Sequence, residues 1–225
     1  MVSGLLASAR LYLEQIPALW RFGPVTIADH TRDDSMAAIA QRILAQAPPE
    51  FALVGLSMGG YISLEIMRQA GDRVSKLALL DTSARPDRPD QTKRRRSQIE
   101  AARDSGLEDV IDQQFPLLVD RSHREDAALY GLVKAMAREV GPEAFVRQQM
   151  AIISRVDSRP DLAAIACPTL VVVGEGDQLT PPDLSRELVE GIAGSTLEVI
   201  PECGHLSTLE QPQVVTRALV KWLKS

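Results

Sequence analysis

The sequence predicts an α/β fold: a mainly parallel sheet flanked by helices, with a helical block inserted in mid-chain. Three observations carry this. Short continuous apolar runs recur along the chain, as strands buried on both faces of a parallel sheet require. Segments with a 3.6-residue apolar period alternate with them, the pattern of strand–helix units. The alternation then stops for the middle third of the 225 residues, which is polar, arginine-rich and helical in period.

In chain order, "VTIAD" (25–29) is short and β-branched and reads as the first strand. Residues 35–46 follow as a helix, with Ser35 as N-cap and Met36, Ile39, Ala40, Ile43 and Leu44 along one face. "FALVGL" (51–56), bounded by Pro48-Pro49 and glycine, is the clearest buried strand. Residues 58–70 form a helix with Ile62 and Ile66 on one face and Gly71 at its close. "KLALLD" (76–81), "PTLVVVG" (168–174) and "TLEVIP" (196–201) complete the strands. The remaining helices are 182–192 and 208–223, the last turning Val215, Ala218, Leu219 and Trp222 inward. From about 84 to 166 no strand pattern occurs, and helical periods cover roughly 91–104, 107–119, 124–139 and 142–156. The chain thus divides into a core, 1–84 with 166–225, and a helical cap, 85–165, lying over the sheet edge where ligands bind in such folds. Within the cap Phe115, Leu118, Tyr130, Met136, Phe145, Met150 and Ile153 recur at helical spacing, most of them as packing and a few facing the core.

Composition narrows the function. Aromatic residues are 4%, so the core must be aliphatic, and the net charge of −5 lacks the basic surface a nucleic-acid binder needs. No apolar run approaches the length of a membrane span. The start "MVSGLLASAR" lacks the basic and apolar regions of a secretory signal. Cys167 and Cys203 form no C-x-x-C pair, so neither a zinc nor a redox motif is present, and a reducing, cytoplasmic setting is expected. No cofactor and no metal are expected.

The chemistry starts at "GLSMGG" (55–60), a G-x-S-x-G pattern between a buried strand and a helix, known as a nucleophile elbow. A serine hydroxyl attacks only if it projects clear of the backbone, and a sharp strand-to-helix turn achieves that at the cost of strain. The turn crowds strand against helix, so residues two positions to either side must be small, as Gly55 and Gly59 are. The helix start aims its N–H groups at a developing oxyanion, with that of Met58 as one expected donor. Ser57 then needs a base and an acid, and with this elbow they follow in the order acid, histidine. Of His30, His123 and His205, only His205 follows every plausible acid, in a loop between the last strand and the last helix. His30 and His123 read as surface or supporting residues. Asp177, in the loop leaving strand 168–174, is the favoured acid; Asp81, at the end of strand 76–81, is its competitor, and Glu175 a weaker substitute.

With these residues in place the chain resembles the α/β-hydrolase superfamily, through "FALVGLSMGGYISLEI", "LAAIACPTLVVVGEGDQLTPP" and "CGHLSTLEQP". Among its branches it is most similar to the small capped hydrolases grouped with 3-oxoadipate enol-lactonases and meta-cleavage-product C–C hydrolases. The resemblance implies a second oxyanion N–H from the loop after the third strand, usually in a His-Gly-x context. Here the matching stretch is "VSGLL", with Ser3 in place of His, so Leu5 is the implied donor and Gly4 permits the turn. Only Met1, Val2 and Ser3 precede Gly4. The family's N-terminal strands are therefore expected to be missing, with a vacant place beside strand 51–56 unless residues 1–6 fill it.

The functional expectation is a serine hydrolase acting through an acyl-enzyme on a carboxylic ester or lactone of small to medium size. Two alternatives stay open: a C–C bond hydrolase or related lyase on the same scaffold, and a ligand-binding protein with little turnover. Most of "KRRR" (93–96) is read as solvated, while one or two of these cations, with Arg85 or Arg88, would draw an anionic small-molecule substrate to the cleft. Cys203, two residues before His205, is read as packing.

Overall fold

In the computed structural model, which describes residues 1–104 and 106–225, four parallel strands lie in sequence order across one sheet: β1 (Phe51–Leu56), β2 (Val74–Leu80), β3 (Thr169–Gly174) and β4 (Thr196–Ile200). Val54 pairs with Ala78, Ala78 with Leu170, and Leu170 with Thr196. The strand period of two then sorts side chains to the two faces. Val54, Leu56, Ala78, Leu80, Leu170 and Val172 enter one apolar cluster, and Leu53, Leu77, Leu79 and Val171 the other. Both faces are buried in β3 and through most of β1 and β2, which is why these strands read as unbroken apolar runs, whereas β4, at the sheet edge, leaves Thr196, Glu198 and Val199 exposed.

Ten α-helices complete the described elements: α1 (Ile16–Leu19), α2 (Met36–Gln46), α3 (Met58–Ala70), α4 (Pro89–Asp104), α5 (Leu107–Leu118), α6 (Ala127–Val140), α7 (Pro142–Ile153), α8 (Pro182–Gly191), α9 (Ser207–Glu210) and α10 (Pro212–Lys224). Helices α2, α3 and α8 cover one face through Ile39, Ile62, Ile66 and Leu188, while α10 covers the other through Val215, Leu219 and Trp222. Ser35 caps α2 as expected, its hydroxyl accepting from Ala38 N at 3.3 Å. The final helical stretch breaks in two at Gln211, because Pro212 cannot supply an N–H and begins a new helix instead. None of the described helices is long and apolar enough to cross a membrane.

Two expectations change at the N-terminus. Residues 25–29 form no strand. Their backbone bonds instead to the chain start, Met1 N donating to Thr26 O at 2.7 Å and Ala28 N to Met1 O at 2.9 Å. The place beside β1 is not wholly vacant: Val2 forms a parallel bridge with Gly55, donating to Val54 O at 2.8 Å and accepting from Leu56 N at 3.2 Å. Residues 9–22, which carry no clear period, fold as short turns that bury Leu11 and Tyr12, and the Tyr12 hydroxyl donates to Val2 O at 2.8 Å.

Helices α4–α7 pack on one another as a separate layer. Asp126 caps α6 through Ala128 N and Leu129 N, both at 2.9 Å. Gly141, at φ 81°, ends α6 and lets Pro142 start α7 at once. The excursion closes where Ser158 N donates to Ala84 O at 2.9 Å. Phe115, Met136 and Phe145 are buried, with Phe115 edge-on to Tyr130 at 5.1 Å. Leu118, Tyr130 and Ile153 are half-buried, whereas Met150, expected inside, is 39% exposed.

Candidate active site

The turn between β1 and α3 places Ser57 at φ 56° and ψ −116°, a conformation that costs a non-glycine residue roughly 1–3 kcal/mol. The surroundings hold it there. Ser57 N donates to Leu80 O at 2.9 Å, and Ser57 O accepts from the Thr82 hydroxyl and from Gly60 N, each at 2.8 Å. The glycines are required by contact. A Cβ on Gly55 would penetrate the Gly59 carbonyl and the Ser63 hydroxyl, and one on Gly59 would penetrate the Val2 carbonyl.

Ser57 Oγ lies 2.8 Å from His205 Nε2, and His205 Nδ1 lies 2.8 Å from Asp177 Oδ2. The structure therefore brings together the three residues singled out in the sequence, all at the carboxyl ends of the strands. Asp177 also accepts from Leu179 N at 2.8 Å, Thr180 N at 3.0 Å and the Thr180 hydroxyl at 2.7 Å. Burial alone would raise its pKa, but the facing His205 and these donors outweigh burial and hold the carboxyl below its usual range. Burial likewise works to lower the His205 pKa, yet the Asp177 charge and hydrogen bond prevail and raise it. The pair thus favours a carboxylate beside an imidazole that gains protons readily.

Asp81, the competing acid, is fully buried but does not bond to the histidine. It accepts from Gly174 N at 3.0 Å and from the Ser207 hydroxyl. Burial first, then the charge of Asp177, push its pKa up to about 8, so it keeps its proton at neutral pH.

The two expected oxyanion donors lie on different segments beside the elbow. Met58 N begins α3. Gly4 packs against the elbow so closely that a Cβ there would lie 3.4 Å from that of Ser57, and Leu5 follows it along the cavity wall. His30 is buried, and its Nε2 donates to Gly4 O at 3.0 Å. Burial lowers its pKa and keeps it neutral. Leu6, at φ 56°, donates its N–H to Gln148 Oε1 of α7 at 3.1 Å. The loop that bears Leu5 is thus fixed from both sides.

A family model described as the alpha/beta hydrolase family matches residues 5–218. The chain belongs to the alpha/beta hydrolase family. It is similar to a thermophilic esterase from Thermogutta terrifontis, solved with malate bound, at 31% identity and a TM-score of 0.89, over 99% of this chain and 88% of that one. An enol-lactonase from Burkholderia xenovorans LB400 gives a TM-score of 0.89 at 22% identity, over 100% of this chain and 90% of that one, and shares the fold. The 2-hydroxy-6-oxononadienedioate/2-hydroxy-6-oxononatrienedioate hydrolase of Escherichia coli K12 is 28% identical over 96% of this chain and 77% of its own length.

In this alpha/beta hydrolase a cavity of about 380 Å³ opens above Ser57 and His205. Its floor is the sheet end and the Gly4–Ala7 loop, and its roof is the helical layer. Val110, Ile111, Leu118, Val133 and Met136 give it an apolar side. Arginines line another side, and among the described lining residues there is no Asp or Glu.

The sequence did not point to Gln148, Glu210 or Arg155. Glu210 accepts from Gly204 N at 3.0 Å and Leu206 N at 3.1 Å, on either side of His205, and from Asp120 N at 2.7 Å. His123 Nδ1 reaches the same carboxylate at 3.0 Å, so His123 supports the site from outside. No local pattern marks these roles, since each partner lies far away in the chain or beyond a loop. Cys203 is buried packing beside His205, and burial pushes its thiol pKa up.

Proposed function

We propose that this alpha/beta hydrolase is a serine hydrolase that cleaves a carboxylic ester or lactone of small to medium size through an acyl-enzyme. The observation that carries the reading is the hydrogen-bonded chain Ser57–His205–Asp177, with both contacts at 2.8 Å, at the floor of the cavity. In the proposed sequence His205 Nε2 takes the Ser57 proton as Oγ attacks the carbonyl carbon. Asp177 fixes the imidazole tautomer and stabilises the imidazolium. The N–H groups of Met58 and Leu5 hold the oxyanion. His205 then gives its proton to the leaving oxygen, activates a water, and the acyl group leaves as a carboxylic acid. Helices α4–α7 act as a cap that shapes the substrate and limits water. The esterase and enol-lactonase similarities support this reaction class.

The test is a fluorophosphonate probe followed by peptide mapping, with hydrolysis of short 4-nitrophenyl esters alongside. An adduct on Ser57, lost in Ser57→Ala, is expected; an intact protein that gains none overturns the reading and favours a ligand-binding role. The similarity to the E. coli hydrolase supports C–C hydrolysis as a second reading. Ring-fission ketones cleaved faster than simple esters and lactones would establish it.

A further inference from the structure

We propose that Arg95 and Arg155 form a carboxylate-binding subsite in the cavity above Ser57, so that the substrate is an ester or lactone carrying a second, ionised carboxylate. The inference rests on the hydrolase reading above and names the substrate class of that site.

Five arginines line the cavity: Arg85, Arg88, Arg94, Arg95 and Arg155. They are not equivalent. Arg85 is neutralised by Glu187, with Nε and Nη2 contacts at 2.9 Å, and Arg88 pairs with Asp90 on the exposed rim. Arg94 is exposed. Arg95 and Arg155 differ from these three because their side chains are only 13% and 7% exposed, and both depend on one carboxylate, Asp87, itself 1% exposed. Arg95 Nε meets Asp87 Oδ2 at 2.7 Å, and Arg155 Nη1 meets Asp87 Oδ1 at 2.6 Å. Two guanidinium groups share one carboxylate, and a guanidinium does not shed its proton. One positive charge is therefore left over in a poorly hydrated wall.

The unused donors belong to the same two residues. Arg95 spends Nε on Asp87 and Nη1 on Gln149 Oε1, at 2.9 Å. Arg155 spends Nε on Arg85 O, at 3.1 Å, and Nη1 on Asp87 and Ile152 O. Among the described residues neither Nη2 has an acceptor. Two planar groups, held from behind and each with a free amino edge, fit an anion of carboxylate geometry better than a neutral group.

The subsite and Ser57 line the same cavity. The Arg155 guanidinium stacks on the Tyr61 ring at 4.2 Å, and Tyr61 stands one turn into α3, its N–H donating to Ser57 O at 3.3 Å. A carboxylate held there would share one cavity with a carbonyl placed at Ser57. The proposal narrows the expectation that one or two of the 93–96 cations act with Arg85 or Arg88, because Arg85 and Arg88 each have a carboxylate of their own. Arg95, from within "KRRR", and Arg155, which no motif marks, take the part instead.

The test compares mono(4-nitrophenyl) glutarate with 4-nitrophenyl pentanoate, which share chain length and leaving group. The wild type should favour the glutarate ester in kcat/KM by about tenfold or more, the scale of a charge-assisted contact. Arg95→Gln leaves Asp87 paired with Arg155 and should bring the ratio near one, chiefly through KM. Arg95→Lys should restore part of it, and Arg88→Gln should leave it unchanged. A purely structural ion-pair role would slow both esters alike. A wild-type ratio at or below one, or a ratio that Arg95→Gln does not move, overturns the proposal. If Ser57 takes no probe and neither ester turns over, the hydrolase reading fails, and calorimetry with glutarate still decides the subsite. Binding weakened tenfold or more by Arg95→Gln upholds it; no binding, or equal binding to both proteins, overturns it.

Discussion

The floor and the roof of the cavity are built on opposite principles. The floor is the end of a parallel sheet, where short loops leave β1, β3 and β4 and carry Ser57, Asp177 and His205 into one hydrogen-bonded chain. Its polar groups are buried, mutually satisfied and fixed by backbone donors. The roof is four helices and the segment that follows α7, whose polar groups are long guanidinium and amide side chains with donors to spare. The contrast separates two tasks: bond making needs groups held to within fractions of an ångström, whereas recognition tolerates longer side chains that reach across the cavity.

The sharpest way to break this division is at the floor. Ser57→Ala should lower kcat for 4-nitrophenyl esters by about 10⁶, the scale seen when a nucleophile of this kind is removed. Next come the two buried carboxylates. Asp177→Asn should cost about 10³–10⁴ in kcat, because the wrong tautomer of His205 then faces Ser57. Asp81→Asn should cost less than about threefold, since Asn can accept from Gly174 N and donate to the Ser207 hydroxyl. If the two effects are reversed in steady-state kinetics, Asp81 is the acid.

Gln148→Leu tests the seam between floor and roof. It removes the acceptor for Leu6 N and loosens the loop of Leu5, the proposed second oxyanion donor. About a tenfold fall in kcat with KM little changed is expected, a fraction of what a lost oxyanion donor costs. The pH profile follows from the histidine. Only neutral His205 accepts the Ser57 proton, and Asp177 favours its protonated form, so the proton leaves at higher pH than from free imidazole. The kcat/KM of the wild type should therefore rise with pH about a midpoint above 6.5, the ordinary histidine value. A midpoint below that value would contradict the geometry. At the roof's rim the smallest effect is expected: Arg85→Gln breaks an exposed pair with Glu187 and should change kcat/KM less than about twofold.

The floor was also the legible half. Apolar runs announce strands, the glycines of 55–60 announce a tight turn, and Asp177 and His205 each follow a strand directly, so local pattern suffices. The roof showed its helices but not its function. Arg155 matters because it meets Asp87, 68 positions away, and Gln148 because it meets Leu6, 142 away. Contacts of that separation exist only once the fold does. The error at 25–29 has the same origin: β-branched residues favour extended backbone, but a strand needs a neighbouring strand, and among the described residues the backbone here bonds to Met1 instead. Met150 has the spacing of a core residue on α7, yet lies beyond the last layer that could cover it.

One join ties the two halves together. Leu118 O, at the end of α5, accepts from both His205 N at 2.9 Å and Leu206 N at 3.2 Å. Glu210 ties Asp120 and His123 to the same loop. Gly204 meets Val119 and Asp120 so closely that no side chain would fit between them. Lifting this corner would pull His205 away from Ser57. The corner therefore pins the helical layer to the loop that carries His205. A ligand that pries at the pinned corner would stop turnover without touching Ser57.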